Sequence, residues 1–468
     1  MMKNRSIRHL LKTIAATAVT STILGSSAAL AFDWTTVANS DTDIPAGGGV
    51  KFSSFGQPSI NNNCVVIFRG RATGPSQPVR GLYVDNPCRK TAPGVPPMIK
   101  RAAVGDLVPQ PNNLDGTFNE FPAFPRIDPY KNFVASRGQS TPVWKYVLPD
   151  GSETRVGTTG VYAGPTVGGP LITGASQLGA LPDFSYYQVP GFPGVKFDQF
   201  PGAPVPFDGT RVAFKGNFTD GTTSRTGVYY RHLYSAGGEV PVRKIADTKT
   251  RIPDTSLFFG STAPPSAAKL SIVFTGLDNE EAPTAGGIYR STVPPDRILE
   301  PLATIGGAVP NAPLKKFTVI GEGLSYDGDN LGYWGGFTGP MRSVTLHCPT
   351  DGNKDVIAEC QRQCPDVDDI GNFCVREVPV NQGIFVRKPS GEQFMVARAG
   401  VGQEFQDFLF WVFSGRPPTE EGDGDAELPR WRSSAFVAVS PRGAGNVATA
   451  FKASKESGES GIYLKKTP

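Results

Sequence analysis

Hydrophobic positions along this chain come in short runs that alternate with polar ones and stop at glycine or proline, which is the period of strands and not of helices. The pattern is most regular between Val242 and Tyr289. It runs Val242-Arg243-Lys244-Ile245-Ala246, a polar turn closed by Ile252-Pro253, the triplet Leu257-Phe258-Phe259 before Gly260, the run Leu270 to Gly276, and Gly287-Ile288-Tyr289. The same pieces recur in the same order around the chain. The clearest marker is glycine, then an aliphatic residue, then an aromatic ring: Gly81-Leu82-Tyr83, Gly160-Val161-Tyr162, Gly227-Val228-Tyr229, Gly287-Ile288-Tyr289, Gly383-Ile384-Phe385 and Gly461-Ile462-Tyr463.

A β-rich run ending in glycine precedes each marker: Val65 to Gly70, Val212 to Gly216 and Leu270 to Gly276, with degraded forms at Phe133 to Gly138, Leu331 to Gly335 and Val447 to Phe451. Such a pair predicts a hairpin of two strands. Further upstream stand two bulky residues three apart: Phe52 and Phe55, Phe118 and Phe121, Phe197 and Phe200, Phe317 and Ile320, Phe405 and Phe408, with Phe259 alone in the reference unit. Recurrence in every unit assigns them to packing between neighbouring units, not to an aromatic binding platform. A fourth run follows the markers: Ile99 to Ala103, Leu171 to Thr173, Val242 to Ala246, Pro301 to Thr304 and Phe394 to Ala397.

The sixth marker runs straight into the C-terminus, and its fourth run lies at the other end, where Trp34 to Ala38 leads into Asn39-Ser40-Asp41-Thr42-Asp43-Ile44-Pro45. An open stack has no reason to be permuted in this way. A closed ring gains stability when its first strand completes its last unit, so the expected fold is all-β: a six-bladed β-propeller of four-stranded blades, closed by the N-terminal strand. A five- or seven-bladed count is the alternative, because the units around Gly164 to Gly202 are irregular.

Units built as F-x-x-F-G-x-P-S-I-N-N-N-x-V-x-F-x-G, then G-I-Y, then A-D-T-x-T-x-I-P resemble an uncharacterised group of exported bacterial tandem-repeat proteins with an N-x-x-G-x-V-x-F signature. Phe52 to Gly70 matches it best, with Cys64 in place of the signature glycine. The resemblance covers most of residues 34 to 468, supports the fold and export, and transfers no catalytic residue.

Residues 1–31 open with Lys3, Arg5, Arg8 and Lys12, continue through an apolar stretch to Leu30, and offer Ala29-Leu30-Ala31 as a cleavage site. That is a secretory signal peptide, expected to be cut near Ala31 to release a secreted or periplasmic protein of residues 32–468. No later stretch is long and apolar enough to span a membrane. Without the four basic residues of the leader, the 46 basic and 42 acidic residues of the chain become 42 of each. Formal neutrality argues against a nucleic-acid or anionic-membrane binder, whose affinity depends on clustered excess Lys and Arg. Glycine (55) and proline (43) recur with the hydrophobic runs, as turns require.

All six cysteines, Cys64, Cys88, Cys348, Cys360, Cys364 and Cys374, lie in the exported part and are expected in three disulfides. In the repeat topology Cys64 and Cys88 fall on one face and are predicted to pair. The other four sit in an insertion at about 339–380, between the second and third strands of the fifth unit, around a predicted helix from Lys354 to Gln363. Zinc ligation is disfavoured because no C-x2-C pair exists, and three disulfide connectivities stay open. A second insertion, at about 414–432, carries Glu420, Glu421, Asp423, Asp425 and Glu427 and is expected on the opposite face.

No pattern specifies an activity. Only His232 and His347 remain in the mature chain, and no nucleophile elbow, H-E-x-x-H or phosphate loop is present, so neither catalytic nor metal-ligating residues are assigned. Asp351, Asn353 and Asp355 resemble the start of a calcium loop that lacks its glycine and glutamate. Asp41, Asp43, Asp106, Asp247 and Asp254 lie in turns between units, where they form either turns or a binding face. Two functions follow: a monomeric binding or scaffold module of the cell envelope or exterior, with a protein or glycan partner, or a calcium-dependent propeller hydrolase or lactonase with an ion in the central channel. Calcium-dependent thermal stabilisation would mark the second.

Overall fold

The structure is a computed structural model that describes residues 36–467 apart from 74–77, 88–97, 110–115, 141–143, 148–152, 157–158, 235–239, 295–297, 352, 416–428 and 442–445. The expected leader and Cys88 lie outside the described residues. The fold is all-β, and the repeat forms six antiparallel sheets in chain order. In the third sheet Val205–Phe207, Arg211–Asp220, Thr223–His232 and Arg243–Asp247 lie side by side as first to fourth strands. The first, second, fourth and fifth sheets keep that order, ending on Met98–Ala103, Ile172–Ser176, Glu300–Thr304 and Gln393–Ala399. The sixth holds only Val437–Pro441, Val447–Ser454 and Ser460–Thr467.

All six glycine–aliphatic–aromatic markers lie in third strands. Their glycines pair across the ladder with Gly70, Gly138, Gly216, Gly276, Gly335 and Ala453 of the second strands. Packing dictates these glycines. A Cβ on Gly216 would stand 2.5 Å from Phe197, and one on Gly138, Gly276 or Gly335 would meet Phe118, Phe259 or Phe317 at 2.5–2.7 Å. The third-strand aromatic then meets that ring edge-on: Phe118 and Tyr162, Phe197 and Tyr229, and Phe317 and Phe385 have centroids 4.9–5.1 Å apart. The same rings fold back over the marker glycine, where the Tyr229 hydroxyl would lie 2.5 Å from a Cβ on Gly227. Just after the aliphatic residue each ladder to a fourth strand slips by one, which leaves Arg101, Gly174, Ile245, Leu302 and Val396 as bulge residues.

Successive sheets pack face to face. The aliphatic face of one, such as Val205, Ala213 and Val228, shares a core with the aromatic face of the next, such as Phe259, Phe274 and Tyr289. Side chains before the second-strand glycine clamp the same seam: Arg69 Nη1 donates to the Phe121 carbonyl at 2.7 Å, Arg137 Nη1 to Phe200 at 2.9 Å, and Thr275 Oγ1 to Gly321 at 3.0 Å. The turns joining first and second strands converge. Asn62 N–H reaches Pro129 O at 2.9 Å, Gly209 N–H reaches Asp128 at 2.9 Å, and Tyr130 of the second unit donates to Asp327 O of the fifth at 2.8 Å.

Two details differ from the sequence reading. First strands are mostly broken into short halves, as at Ser54–Phe55 and Ser59–Ile60, because the chain kinks after the aromatic pair. The last strand, Ser460–Thr467, pairs only with Val447–Ser454; Thr36 to Ala38 form no strand, while Trp34 and Thr35 lie outside the described residues. Even so, the turn that follows these residues is that of a unit junction. Asn39 Oδ1 accepts from Asp41 N–H and Thr42 Oγ1, as Asp247 Oδ1 accepts from Lys249 N–H and Thr250 Oγ1. Phe52 N–H then bonds Thr42 O as Phe259 N–H bonds Thr250 O, and both Ile44 and Ile252 are buried.

Candidate functional site

The largest departure from the repeat is a disulfide-bonded module between the second and third strands of the fifth sheet. Met341–His347 and Asn372–Pro379 pair antiparallel, with Asp366–Val367 at the edge. Between them the helix Lys354–Gln363 spans the predicted residues. It starts because Asn353 Oδ1 accepts from the N–H groups of Asp355 and Val356, which accounts for the resemblance to a calcium loop. Cys348 bonds Cys360 and Cys364 bonds Cys374, so the helix is stapled to the chain before and after it. These three sulfurs at 348, 360 and 364 form the only group of three candidate metal ligands among the described residues, and their disulfides remove the thiolates a metal would need. Cys64 is disulfide-bonded as well; its expected partner, Cys88, lies outside the described residues.

The second insertion is not remote from the first, which corrects the expectation of opposite faces. It interrupts the first strand of the sixth unit at the kink and forms a hairpin, Phe410–Ser414 with Arg430–Ser434. Phe413 and Trp431 pack on Cys348, Cys360 and Cys364, and Trp431 Nε1 donates toward Cys364 Sγ at 3.4 Å. Gln363 Nε2 donates to Pro429 O at 2.8 Å. The five acidic residues of this insertion lie outside the described residues. The base of the hairpin is clasped to the fourth unit, where Arg430 Nη2 meets Glu280 Oε1 at 2.6 Å and Arg432 approaches it at 3.9 Å. Burial pushes the Glu280 carboxyl up, but the hydrogen bond from Arg430 and the charges of Arg430, Lys215 and Arg432 outweigh it and hold Glu280 below the ordinary glutamate range. Arg342 of the module also pairs with Asp407, just before the hairpin.

The described parts of the two insertions thus form one surface, joined to units four to six. Met341, Val367, Ile370, Val375 and Val412 are exposed on it. His347 Nε2 lies 2.8 Å from Asp368 Oδ2, and this contact with the backbone bonds from Ile370 and Gly371 lowers the Asp368 carboxyl. Exposed aliphatic side chains on a cross-linked frame mark this as a candidate contact surface. The sequence placed the module but not its contact with the hairpin; Trp411, Phe413 and Trp431, flanking the acidic run in the sequence, were the available signal.

Two of the five inter-unit aspartates, Asp106 and Asp247, are tied up in their own turns. Asp106 accepts from Lys100 Nζ and Ala103 N–H, both at 2.7 Å, and Asp247 is fully buried in its turn beside Lys244. Asp41 is exposed and 4.0 Å from Lys51, Asp43 bridges to Lys51 through the backbone, and Asp254 holds a turn with φ of 61°. They do not converge on an ion site among the described residues. The irregular stretch up to Gly202 also has a packing role: Tyr186, Tyr187, Val189 and Phe192 are buried, and Arg231 stacks on Tyr186 and Tyr187.

No protein-family profile matches the chain, and no curated protein matches it. Among solved structures it is similar to prolyl oligopeptidase B from Galerina marginata (9% identity, 87% of this chain, TM-score 0.29), and it spans 56% of that chain's length. It is also similar to a glycosyl hydrolase from Bacteroides ovatus (11% identity, 74% of this chain and 84% of that one, TM-score 0.24) and to a GH43 endo-arabinanase from Bacillus licheniformis (10% identity, 77% and 96%, TM-score 0.21). Likeness at this level carries over neither residue roles nor an activity. No helix among the described residues is long and apolar enough to cross a membrane.

Proposed function

We propose that the six sheets close into a six-bladed β-propeller, with residues 34–38 as the fourth strand of the last blade, and that the protein is an exported binding module of the cell envelope or exterior. The closure rests on equivalent residues. Leu82, Val161, Val228, Ile288 and Ile384 are buried to 1% or less, whereas their counterpart Ile462 is 72% exposed. At the other end Phe121, Phe200, Ile320 and Phe408 are likewise buried, and Phe55 is 45% exposed. Bringing these two faces together buries both side chains, worth about 1.5–3 kcal/mol each, and covers an apolar edge strand. The unit-junction turn at Asn39 to Phe52 and the bond from Tyr130 to Asp327 favour the same arrangement.

One observation carries the binding role: the two insertions that the repeat does not need are joined through Trp431 and the disulfides, and clasped to Glu280, into a single exposed surface. Its aliphatic character suits a protein partner. The leader at residues 1–31 and the disulfides fit an oxidising compartment outside the cytoplasm. The test uses the immobilised mature protein, challenged with envelope proteins and, separately, with envelope polysaccharides. A triple variant, Val367→Asp with Ile370→Asp and Val375→Asp, is expected to keep the wild-type melting midpoint and lose a discrete envelope protein that the wild type retains. Equal retention by the folded triple variant, or retention of polysaccharide alone, overturns the reading.

A further inference from the structure

The disulfide-bonded module gathers four sulfurs in one place. The Sγ atoms of Cys348, Cys360 and Cys364 lie within 4.8 Å of one another, and all three residues are buried. Cys374, bonded to Cys364, brings the fourth. Spacing along the chain conceals this, because four-cysteine zinc sites commonly pair their ligands as C-x2-C. Here a helix does the pairing. Cys364 N–H donates to Cys360 O at 2.8 Å, so the two residues sit one turn apart on the same face.

Contacts other than the disulfides also hold these cysteines in place. Cys348 N–H donates to Asn372 O at 2.8 Å, Asn372 Nδ2 donates to Cys364 O at 3.1 Å, and Cys374 pairs with Leu346 across the ladder. Phe413 and Trp431 pack over the cluster. This frame keeps the four side chains together when the sulfur–sulfur bonds are open. Four thiolates in a buried site are the ligand set of a tetrahedral zinc ion, whose bonds of about 2.3 Å set the sulfurs about 3.8 Å apart. Opening each disulfide moves its two sulfurs apart into that range. Trp431 Nε1, 3.4 Å from Cys364 Sγ, supplies the kind of outer donor that steadies a metal-bound sulfur.

We infer that the module has a second state, in which Cys348, Cys360, Cys364 and Cys374 are reduced and hold one Zn2+ in place of the two disulfides. Each disulfide takes two electrons and two protons from a dithiol reductant, which leaves as its own disulfide, and Zn2+ then displaces the four thiol protons. Oxidation runs the other way: two electrons per disulfide pass to a disulfide oxidant, and Zn2+ is released. Either cross-link ties the helix Lys354–Gln363 to the strands on both sides of it. The site does not depend on a partner for the exposed aliphatic side chains of the module.

The experiment reduces the mature protein with a phosphine under argon, adds zinc or cobalt, and removes free metal by gel filtration. The reduced protein is expected to retain one zinc per chain and to melt higher with zinc than without it, and cobalt should give the visible bands of a tetrahedral thiolate site. Alkylation and peptide mapping should find Cys348, Cys360, Cys364 and Cys374 protected by zinc while Cys64 and Cys88 react. The oxidised protein should retain none. Cys364→Ser with Cys374→Ser keeps the bond between Cys348 and Cys360, so the fold of its oxidised form can be checked by circular dichroism; its reduced form is expected to lose the zinc, and Cys64→Ser with Cys88→Ser to keep it. The inference is overturned if the reduced wild type retains no zinc, if cobalt is bound octahedrally, if zinc protects Cys64 and Cys88 instead, if the oxidised protein binds zinc equally, or if the variant without Cys364 and Cys374 still holds it.

Discussion

Phe197 and Gly216 make one side of a contact that recurs around the chain, and its tightness sets what a mutation there must cost. Gly216→Ala puts a methyl 2.5 Å from the ring of a fully buried phenylalanine, so the expected loss is about 1–3 kcal/mol. Chemical denaturation measures it, and Phe197→Leu in the same chain should recover part of it; an unchanged midpoint would show that the seam is looser. Tyr83 and Tyr229 raise the opposite expectation. Their hydroxyls are buried without a hydrogen-bond partner, and the fifth unit uses Phe385 in the same place. Tyr229→Phe should therefore raise stability, by up to about 1 kcal/mol. Burial, helped by Asp106, pushes the Tyr83 phenol up to about 12. Since the folded state favours the neutral phenol, this contribution is complete below the unfolded value near 10 and is lost as pH rises through 12. Ultraviolet titration should show Tyr83 ionising only as the protein unfolds in alkali.

At the scale of elements, the clasp between Glu280 and the hairpin has its own pH dependence. The Glu280 carboxyl is depressed in the folded state, so its stabilisation is present above the ordinary glutamate value and fades as pH falls through the lower folded one. Hydrogen exchange should report faster opening of Phe410–Ser414 and Arg430–Ser434 in acid, and Glu280→Gln should give that opening already at neutral pH. Equal protection in both proteins would mean that Trp431 and the disulfides hold the hairpin alone. Much of this level was legible in the sequence. The strands at Arg211–Asp220 and Thr223–His232 declare themselves through alternation and a turn, and the helix Lys354–Gln363 through Asn353 before a run of helix formers. The split first strands were not, because halves as short as Ser59–Ile60 carry no period. Nor was the contact of Trp431 with Cys364, 67 residues apart, since spacing along a chain says nothing about which insertions meet.

For the whole molecule the open question is physical: what covers Ile462 and Leu464 on an edge strand, and what covers Phe55 at the opposite end of the row of units. Left in water, such an edge invites pairing with other chains. The permuted order of the sequence and the junction turn at Asn39 support the proposed occupant, residues 34–38. By analogy with the third sheet, where Val228 faces Ala246 and Tyr229 faces Lys244, Ala38 is expected opposite Ile462 and Thr36 opposite Tyr463. Two variants decide it. Ile462→Asp on a solvent-facing strand should change stability by less than about 0.5 kcal/mol; inside a closed ring it buries a carboxylate against the aromatic face of the first unit and should cost about 3 kcal/mol or more. Ala38→Cys with Ile462→Cys should form a disulfide within one chain, seen as a faster band on a non-reducing gel. A neutral Ile462→Asp together with no intrachain bond would leave six sheets in an open row, and the exposed edge would then have to be covered by a second chain.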